Sequence, residues 1–260
     1  MNKLFFLLFG LSLLLNSCET QTASSTDPSE RPEFSTSEAA ADATERKHIR
    51  PFDQNLPTVG ILMYDGVLTT EVTAAADVFT KPDGEGGKQL FNVVTIAQDK
   101  SSIVTEENLT LVPDYTFENT PALTVLFVPS AYDMYAQVNN EKIVDFIKRK
   151  NEETTYTVSN CAGAQLIGAA GIAKGKKIVT WIGGGEQLQQ DYPELLVQND
   201  AEVSFVRDGK FFSSNGNLAS YISSLELLEE LTGKEHREFV ESYLYLERLQ
   251  DWKAVDAAVE

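Results

Sequence analysis

The chain has 260 residues, a net charge of −18 and 42% hydrophobic residues. That length allows one large domain or two small ones, with enough apolar material for a core. The acidic balance argues against nucleic acid as a partner, because phosphates would be repelled.

Met1-Asn2-Lys3 precedes an almost wholly apolar run from Leu4 to Leu15, followed by Asn16-Ser17-Cys18. A basic start, a short apolar core and a small residue before the break predict a secretory signal peptide over residues 1–17. The run is too short to span a bilayer, which takes about 20 apolar residues. Leu15-Asn16-Ser17-Cys18 resembles the bacterial lipobox. That resemblance implies cleavage before Cys18 and lipidation of its side chain, with a plain signal peptide as the alternative. The protein would then be exported and lipid-anchored to a bacterial membrane, periplasmic or surface-facing. Glu19 to about Asn55 is rich in Ser, Thr, Glu, Asp, Ala and Pro, so residues 18–56 are expected to be a lipidated Cys and a disordered tether. His48 falls within it and reads as solvated. Cys18 and Cys161 are the two cysteines, so lipidation of Cys18 leaves Cys161 without a disulfide partner in the chain.

The folded part is expected over residues 57–250, with 251–260 as a tail. Thr58 to Tyr64 is an apolar run dense enough for a buried strand, broken by Asp65-Gly66. Thr70 to Phe79 carries Ala74, Ala75, Val78 and Phe79 at helical spacing. Phe91–Ala97, Leu109–Val112 and Leu123–Val128 read as strands, and Lys142–Lys150 as a helix with Ile143, Phe146 and Ile147 on one face. Tyr156-Thr157-Val158 is β-favouring. The chain then turns at Asn160-Cys161 and continues as a helix through Ala162, Ala164, Leu166, Ala169 and Ala170 to Gly171, a natural terminator. Strand, tight turn, helix, with Cys161 at the turn, is the shape of a nucleophile elbow. The first helical N–H groups and the positive helix end are expected to favour thiolate over thiol. Gly163 and Ala164 let the helix start press against neighbouring backbone.

Lys176–Trp181 reads as another strand, and Gly183-Gly184-Gly185 leads into a short helix before Tyr192-Pro193. Ala201–Val206 and Lys210–Ser213 form a predicted hairpin around Asp208-Gly209. Leu218–Leu231 and Glu235–Leu249 are amphipathic helices separated by Thr232-Gly233-Lys234. Strands alternating with helices predict one α/β domain with a mostly parallel sheet, its ligand cleft at the carboxyl strand ends.

Four stretches give the chain a family likeness. They are Gly60–Gly66 with Glu71 and Asp77-Val78-Phe79, Val112–Phe117, Val158–Ala164 with Gly171, and Phe205–Gly209 with Ser213–Gly216. Over roughly Pro57 to Glu247 the chain resembles the ThiJ/PfpI superfamily. It is most similar there to the isonitrile-hydratase-like branch and to amino-terminal domains of AraC-type regulators. The resemblance implies a flavodoxin-like three-layer sandwich of the class I glutamine-amidotransferase type. It also implies Cys161 as nucleophile, Glu71 as acidic partner, and backbone oxyanion donors from Ala162 and the Ser130-Ala131 loop. Trp181, Asn160 and Gly216 are expected to line the pocket, and family members often form homodimers. Where the family usually has Gly-Gly, this chain has Ser130-Ala131. Where the family commonly has a His after the elbow helix, it has Trp181.

Other features have plainer readings. Gly183-Gly184-Gly185 lacks the Lys-Ser/Thr of a phosphate loop and reads as a tight turn. Tyr243–Leu246 reads as a packing or dimer face, and His236 as a solvated helix residue. No His/Cys/Asp cluster has metal-ligand spacing, and no cofactor is implied. Two function classes stay open, with a purely structural surface lipoprotein as a third reading. One is a cysteine-dependent hydrolase or lyase acting on a C–N or carbonyl bond of a small molecule, by hydratase, amidase or glyoxalase-like chemistry. The other is a membrane-anchored ligand- or oxidation-sensing module without turnover.

Overall fold

The computed structural model describes residues 49–84, 87–246 and 254–256. The expected signal peptide, Cys18, His48 and the tether up to residue 48 lie outside the described residues. The end of the expected tether is tied to the fold. Asp53 N–H donates to Asn92 Oδ1 at 2.9 Å, and Asn92 Nδ2 donates to the carbonyls of Asp53 and Leu56 at 2.8 and 3.2 Å. Buried Asn92 has a donor and an acceptor to satisfy, and the incoming backbone supplies both.

The first half contains β1 (Thr58–Leu62), α1 (Thr69–Phe79), β2 (Asn92–Ala97), β3 (Ile103–Val104), β4 (Thr110–Leu111), β5 (Tyr115–Thr116) and β6 (Val125–Val128). Next come α2 (Tyr135–Val138), α3 (Glu141–Glu153), β7 (Tyr156–Asn160) and α4 (Gly163–Ala170). The remainder is β8 (Lys177–Ile178), α5 (Gly185–Asp191), β9 (Leu196–Val197), β10 (Phe205–Asp208), β11 (Phe211–Ser214), α6 (Ala219–Thr232), α7 (Lys234–Tyr243) and β12 (Ala254–Asp256).

The main sheet has the order β12-β10-β11-β7-β6-β1-β2-β5, parallel throughout except for the β10–β11 hairpin. Its central strands β1 and β6 are buried at every position, which is why their sequences are continuous apolar runs rather than alternating ones. One helical layer joins α1, α6 and α7, and another joins α2, α3, α4 and α5. Together they make the expected three-layer α/β sandwich. Helix α3 shows how locally its ends are set. Asn140 Oδ1 accepts from Lys142 N and Ile143 N, and Ile143, Phe146 and Ile147 are the buried face.

Three expectations change. The predicted strand Lys176–Trp181 is only two residues long, and it pairs with β9 outside the main sheet. Beyond it the backbone ladder stops: Val179 N–H donates at 3.0 Å to the side-chain Oγ of Ser213 on β11 rather than to a backbone carbonyl. His236 is buried and stacked on Phe239, with Nε2 lacking a partner among the described residues. It therefore lies in the α7 packing face rather than in solvent. Ala254–Asp256, within the expected tail, adds an edge strand parallel to β10.

Candidate active site

Cys161 sits between β7 and α4 with φ of +52°, a left-handed conformation that a non-glycine residue adopts only when its surroundings hold it there. Three contacts do so. Cys161 N–H donates to the Ser214 carbonyl at 2.9 Å. The Cys161 carbonyl accepts from Thr180 Oγ1 at 3.0 Å and from Ala164 N at 3.3 Å. The helix start comes as close as the small residues suggested: a Cβ on Gly163 would stand 2.2 Å from the Val128 carbonyl oxygen. At the far end Gly171 closes α4 with φ of +65°.

Glu71 projects from the first turn of α1 and is fully buried. Its Oε2 accepts from Ser130 N at 2.6 Å, and its Oε1 accepts from Ser130 Oγ at 3.0 Å and from Asn217 N at 3.3 Å. Cys161 and Glu71 meet at Gly216. A Cβ there would lie 2.2 Å from Cys161 Cβ and 2.5 Å from Glu71 Oε1. The glycine, with φ of +94°, is what lets the chain pass this close to both the cysteine and the carboxylate. Asn217, also at positive φ, then aims its N–H at the carboxylate.

Burial pushes the Glu71 carboxyl up to about 7, against the pull of its three hydrogen-bond donors. The Cys161 thiol moves opposite to expectation. Burial first, and then the Glu71 charge, push it up to about 11. The Ser130 hydroxyl and the Ala162 N–H stabilise a thiolate but do not outweigh those two effects. Helix donors visible in the sequence are real, but desolvation and a like-charged neighbour win.

Cys161 is half-buried and opens into a cavity of about 910 Å³. Trp181 and Gly216 line that cavity as expected. Asn160 does not. It is fully buried beneath the elbow, where its Nδ2 donates to Ser214 Oγ at 2.8 Å and Ser223 Oγ at 2.9 Å. It ties β7 to β11 and α6 rather than facing a ligand. The loop donors also differ from expectation. Ser130 N–H is spent on Glu71, and Ala131 N–H donates to Met134 Sδ at 3.1 Å. Of the three expected oxyanion donors, Ala162 N–H is the one directed at Cys161.

The sequence reading missed the Ser130 hydroxyl, the Asn217 N–H and the Thr180 hydroxyl. The pairing Gly216-Asn217, two residues able to take positive φ, was the available signal for the second. Gly184 explains the triple glycine: a Cβ there would fall 1.8 Å from Trp181 Cε2, so the turn makes room for the indole. Among the described residues no group of His, Cys, Asp and Glu side chains could hold a metal ion. No described helix is long and apolar enough to cross a membrane.

Known proteins resemble this chain in sequence and in fold. Isonitrile hydratase of Pseudomonas putida is 29% identical over 188 residues, spanning 72% of this chain and 77% of the hydratase. The HTH-type transcriptional regulator GbdR of Pseudomonas aeruginosa is 20% identical over 188 residues, and the match spans 49% of the regulator's length. Among solved structures, a THiJ/PfpI family protein from Pseudomonas syringae matches with a TM-score of 0.64 at 22% identity, covering 80% of this chain and 84% of that one. Drosophila melanogaster DJ-1beta matches with a TM-score of 0.62 at 19% identity, covering 73% and 98%. The model of the DJ-1/PfpI family matches residues 57–230. With that match spanning most of its length, and with a cysteine held at the strand-to-helix turn beside a buried glutamate, the chain belongs to the DJ-1/PfpI family.

Proposed function

We propose that this protein is a cysteine-dependent hydratase acting on the carbon–nitrogen bond of a small isonitrile or a related electrophile. One observation carries this: Cys161 faces an open cavity while Glu71, buried beside it, has its carboxyl raised to about 7. A carboxylate of that basicity can take a proton and return it at neutral pH. As sulfur attacks the isonitrile carbon, the thiol proton passes to Glu71, which delivers it to the same carbon. An S–C bond forms and a thioimidate results. Water then adds across the C=N bond, its hydroxyl to that carbon and its other proton to nitrogen; the C–S bond breaks, and the hydroxyl proton returns to sulfur. The products are an N-substituted formamide and the free thiol.

The donor arrangement supports this chemistry over amide hydrolysis. Acyl transfer needs two donors preset for an oxyanion, whereas here Ser130 N–H and Ala131 N–H are engaged elsewhere. Thiol addition to an isonitrile builds no oxyanion in its first step. The likeness to the Pseudomonas putida hydratase points the same way. The experiment is turnover of a panel of isonitriles, amides and 2-oxoaldehydes by the purified chain, its Cys161→Ser variant and its Glu71→Gln variant. Formamide production by wild type, lost in both variants, is expected. Undiminished turnover by Cys161→Ser would remove sulfur from the mechanism.

A second reading, ligand sensing without turnover, draws on the likeness to GbdR and on the high thiol pKa. Saturable binding with no turnover of any panel member would favour it. We further propose export and lipid anchoring through Cys18, supported by the apolar run Leu4–Leu15 and the Leu15–Cys18 motif. Metabolic labelling with an alkyne fatty acid, lost in Cys18→Ser, tests it. A homodimer is proposed by family resemblance, and sedimentation of the folded part checks it.

A further inference from the structure

The cavity above Cys161 is far larger than one reacting carbon requires. At about 910 Å³ it lies at the upper end of the range for pockets that hold drug-sized ligands, about 300–1,000 Å³. Half-buried Cys161 and buried Gly216 share its lining with Trp181, Ile182, Leu218 and Tyr132. The last three are 73%, 59% and 76% exposed, which is unusual for large apolar side chains lining one cavity. Trp181 is held in place by the turn beneath it, where only glycine fits at position 184. Charge narrows the choice further. Among the described lining residues there is no Lys, Arg or His, while Glu202 stands at the wall and Glu71 lies just behind Cys161. Among those described residues an anionic substrate would meet like charge and no cation.

We propose that the substrate carries a bulky, uncharged apolar arm on the group that reaches Cys161, and that Trp181 is the residue that selects this arm. The proposal rests on the hydratase assignment above and extends it to a substrate class. The indole takes the place of a proton-transferring His and contributes area rather than acid–base chemistry. Isonitriles with aromatic or branched hydrocarbon substituents fit, whereas carboxylate-bearing ones do not.

The test separates binding from turnover. Wild-type, Cys161→Ala and Trp181→Ala chains are titrated by calorimetry with N-benzylformamide, N-methylformamide and N-formylglycinate. Turnover of benzyl and methyl isonitrile by wild type and Trp181→Ala is followed in parallel. N-benzylformamide is expected to bind wild type and Cys161→Ala at least about tenfold more tightly than either other amide. Trp181→Ala should lose most of that preference, and KM for benzyl isonitrile should rise more than kcat falls. Trp181→Phe, which keeps an apolar plane, should retain most of it. Equal or tighter binding of N-formylglycinate overturns the proposal, and so does an unchanged preference in folded Trp181→Ala. Absence of any amide binding at millimolar concentration also overturns it. If Trp181→Ala does not fold, Leu218→Gln at an exposed lining position reads the same preference. Preference without turnover sinks the hydratase assignment and leaves the binding class standing. Turnover without preference does the reverse.

Discussion

Glu71 should leave a signature in the pH dependence of stability that a glutamine cannot copy. Its carboxyl titrates at about 7 in the folded chain against an ordinary value of 4.5. The folded state therefore holds its proton more tightly than the unfolded state does. Stability from this group is fully present below about pH 4.5 and is lost as pH rises through 7. At about 1.4 kcal/mol per pH unit, the interval corresponds to about 3 kcal/mol. Glu71→Gln removes the titration. The amide adds a roughly constant offset, because its NH2 must face one of the donors Ser130 N, Ser130 Oγ or Asn217 N. Urea unfolding of both chains between pH 4.5 and 8 should show the wild-type advantage shrinking by about 3 kcal/mol with rising pH. Other carboxylates titrate alike in both chains and cancel. Parallel curves, constant to within about 0.5 kcal/mol, would mean that Glu71 ionises as easily folded as unfolded. The proton-relay role would then lose its basis.

Gly216→Ala should be far worse than Gly171→Ala although both glycines have positive φ. The latter has open space around its would-be Cβ and should cost about 1 kcal/mol. Gly216→Ala adds a collision with Cys161 and Glu71 and should cost about 3 kcal/mol or more in urea unfolding. Near-equal losses would refute the close approach. Iodoacetamide alkylation of Cys161 should be slow at neutral pH and climb toward about pH 11, with Glu71→Gln shifting the curve to lower pH by removing the neighbouring charge. A curve that stays put in the variant would show that the two groups do not sense each other. Asn160→Ala should destabilise the chain by about 1–3 kcal/mol by stripping a buried partner from Ser214 and Ser223. A substitution that leaves stability unchanged but weakens ligand binding would place Asn160 in the pocket after all.

Much of the scaffold was legible because its signals are local. The apolar runs of β1, β2 and β6, the small residues at Gly163 and Ala164, and the stop at Gly171 each act within a few residues. What escaped depends on distant partners. Lys177–Ile178 has strand character, but the next N–H goes to the Ser213 side chain rather than to a backbone carbonyl. Ser130 and Ala131 have donors, but only the fold shows that Glu71 and Met134 receive them. His236 looks solvated until α7 lays it on Phe239. The thiol illustrates the same limit: its helical donors are adjacent in sequence, whereas the carboxylate and the burial that oppose them come from α1 and the packed layers.

Those opposing effects make sense when sulfur and carboxyl are treated as one titrating pair. Burial resists two negative charges side by side, so over a wide pH range the pair holds one proton. The carboxyl gives up its proton near 7 and the thiol near 11, the latter raised by burial and then by the carboxylate's charge. The one-proton form contains thiol with carboxylate, and through a single transfer thiolate with carboxylic acid. That is the form a hydratase needs, since sulfur must attack while a proton waits for the substrate carbon. With an uncharged substrate, kcat/KM should therefore rise through about pH 7 and stay level into the alkaline range. A profile that falls through 7 would require Glu71 protonated before sulfur attacks, and the relay order would have to be reversed.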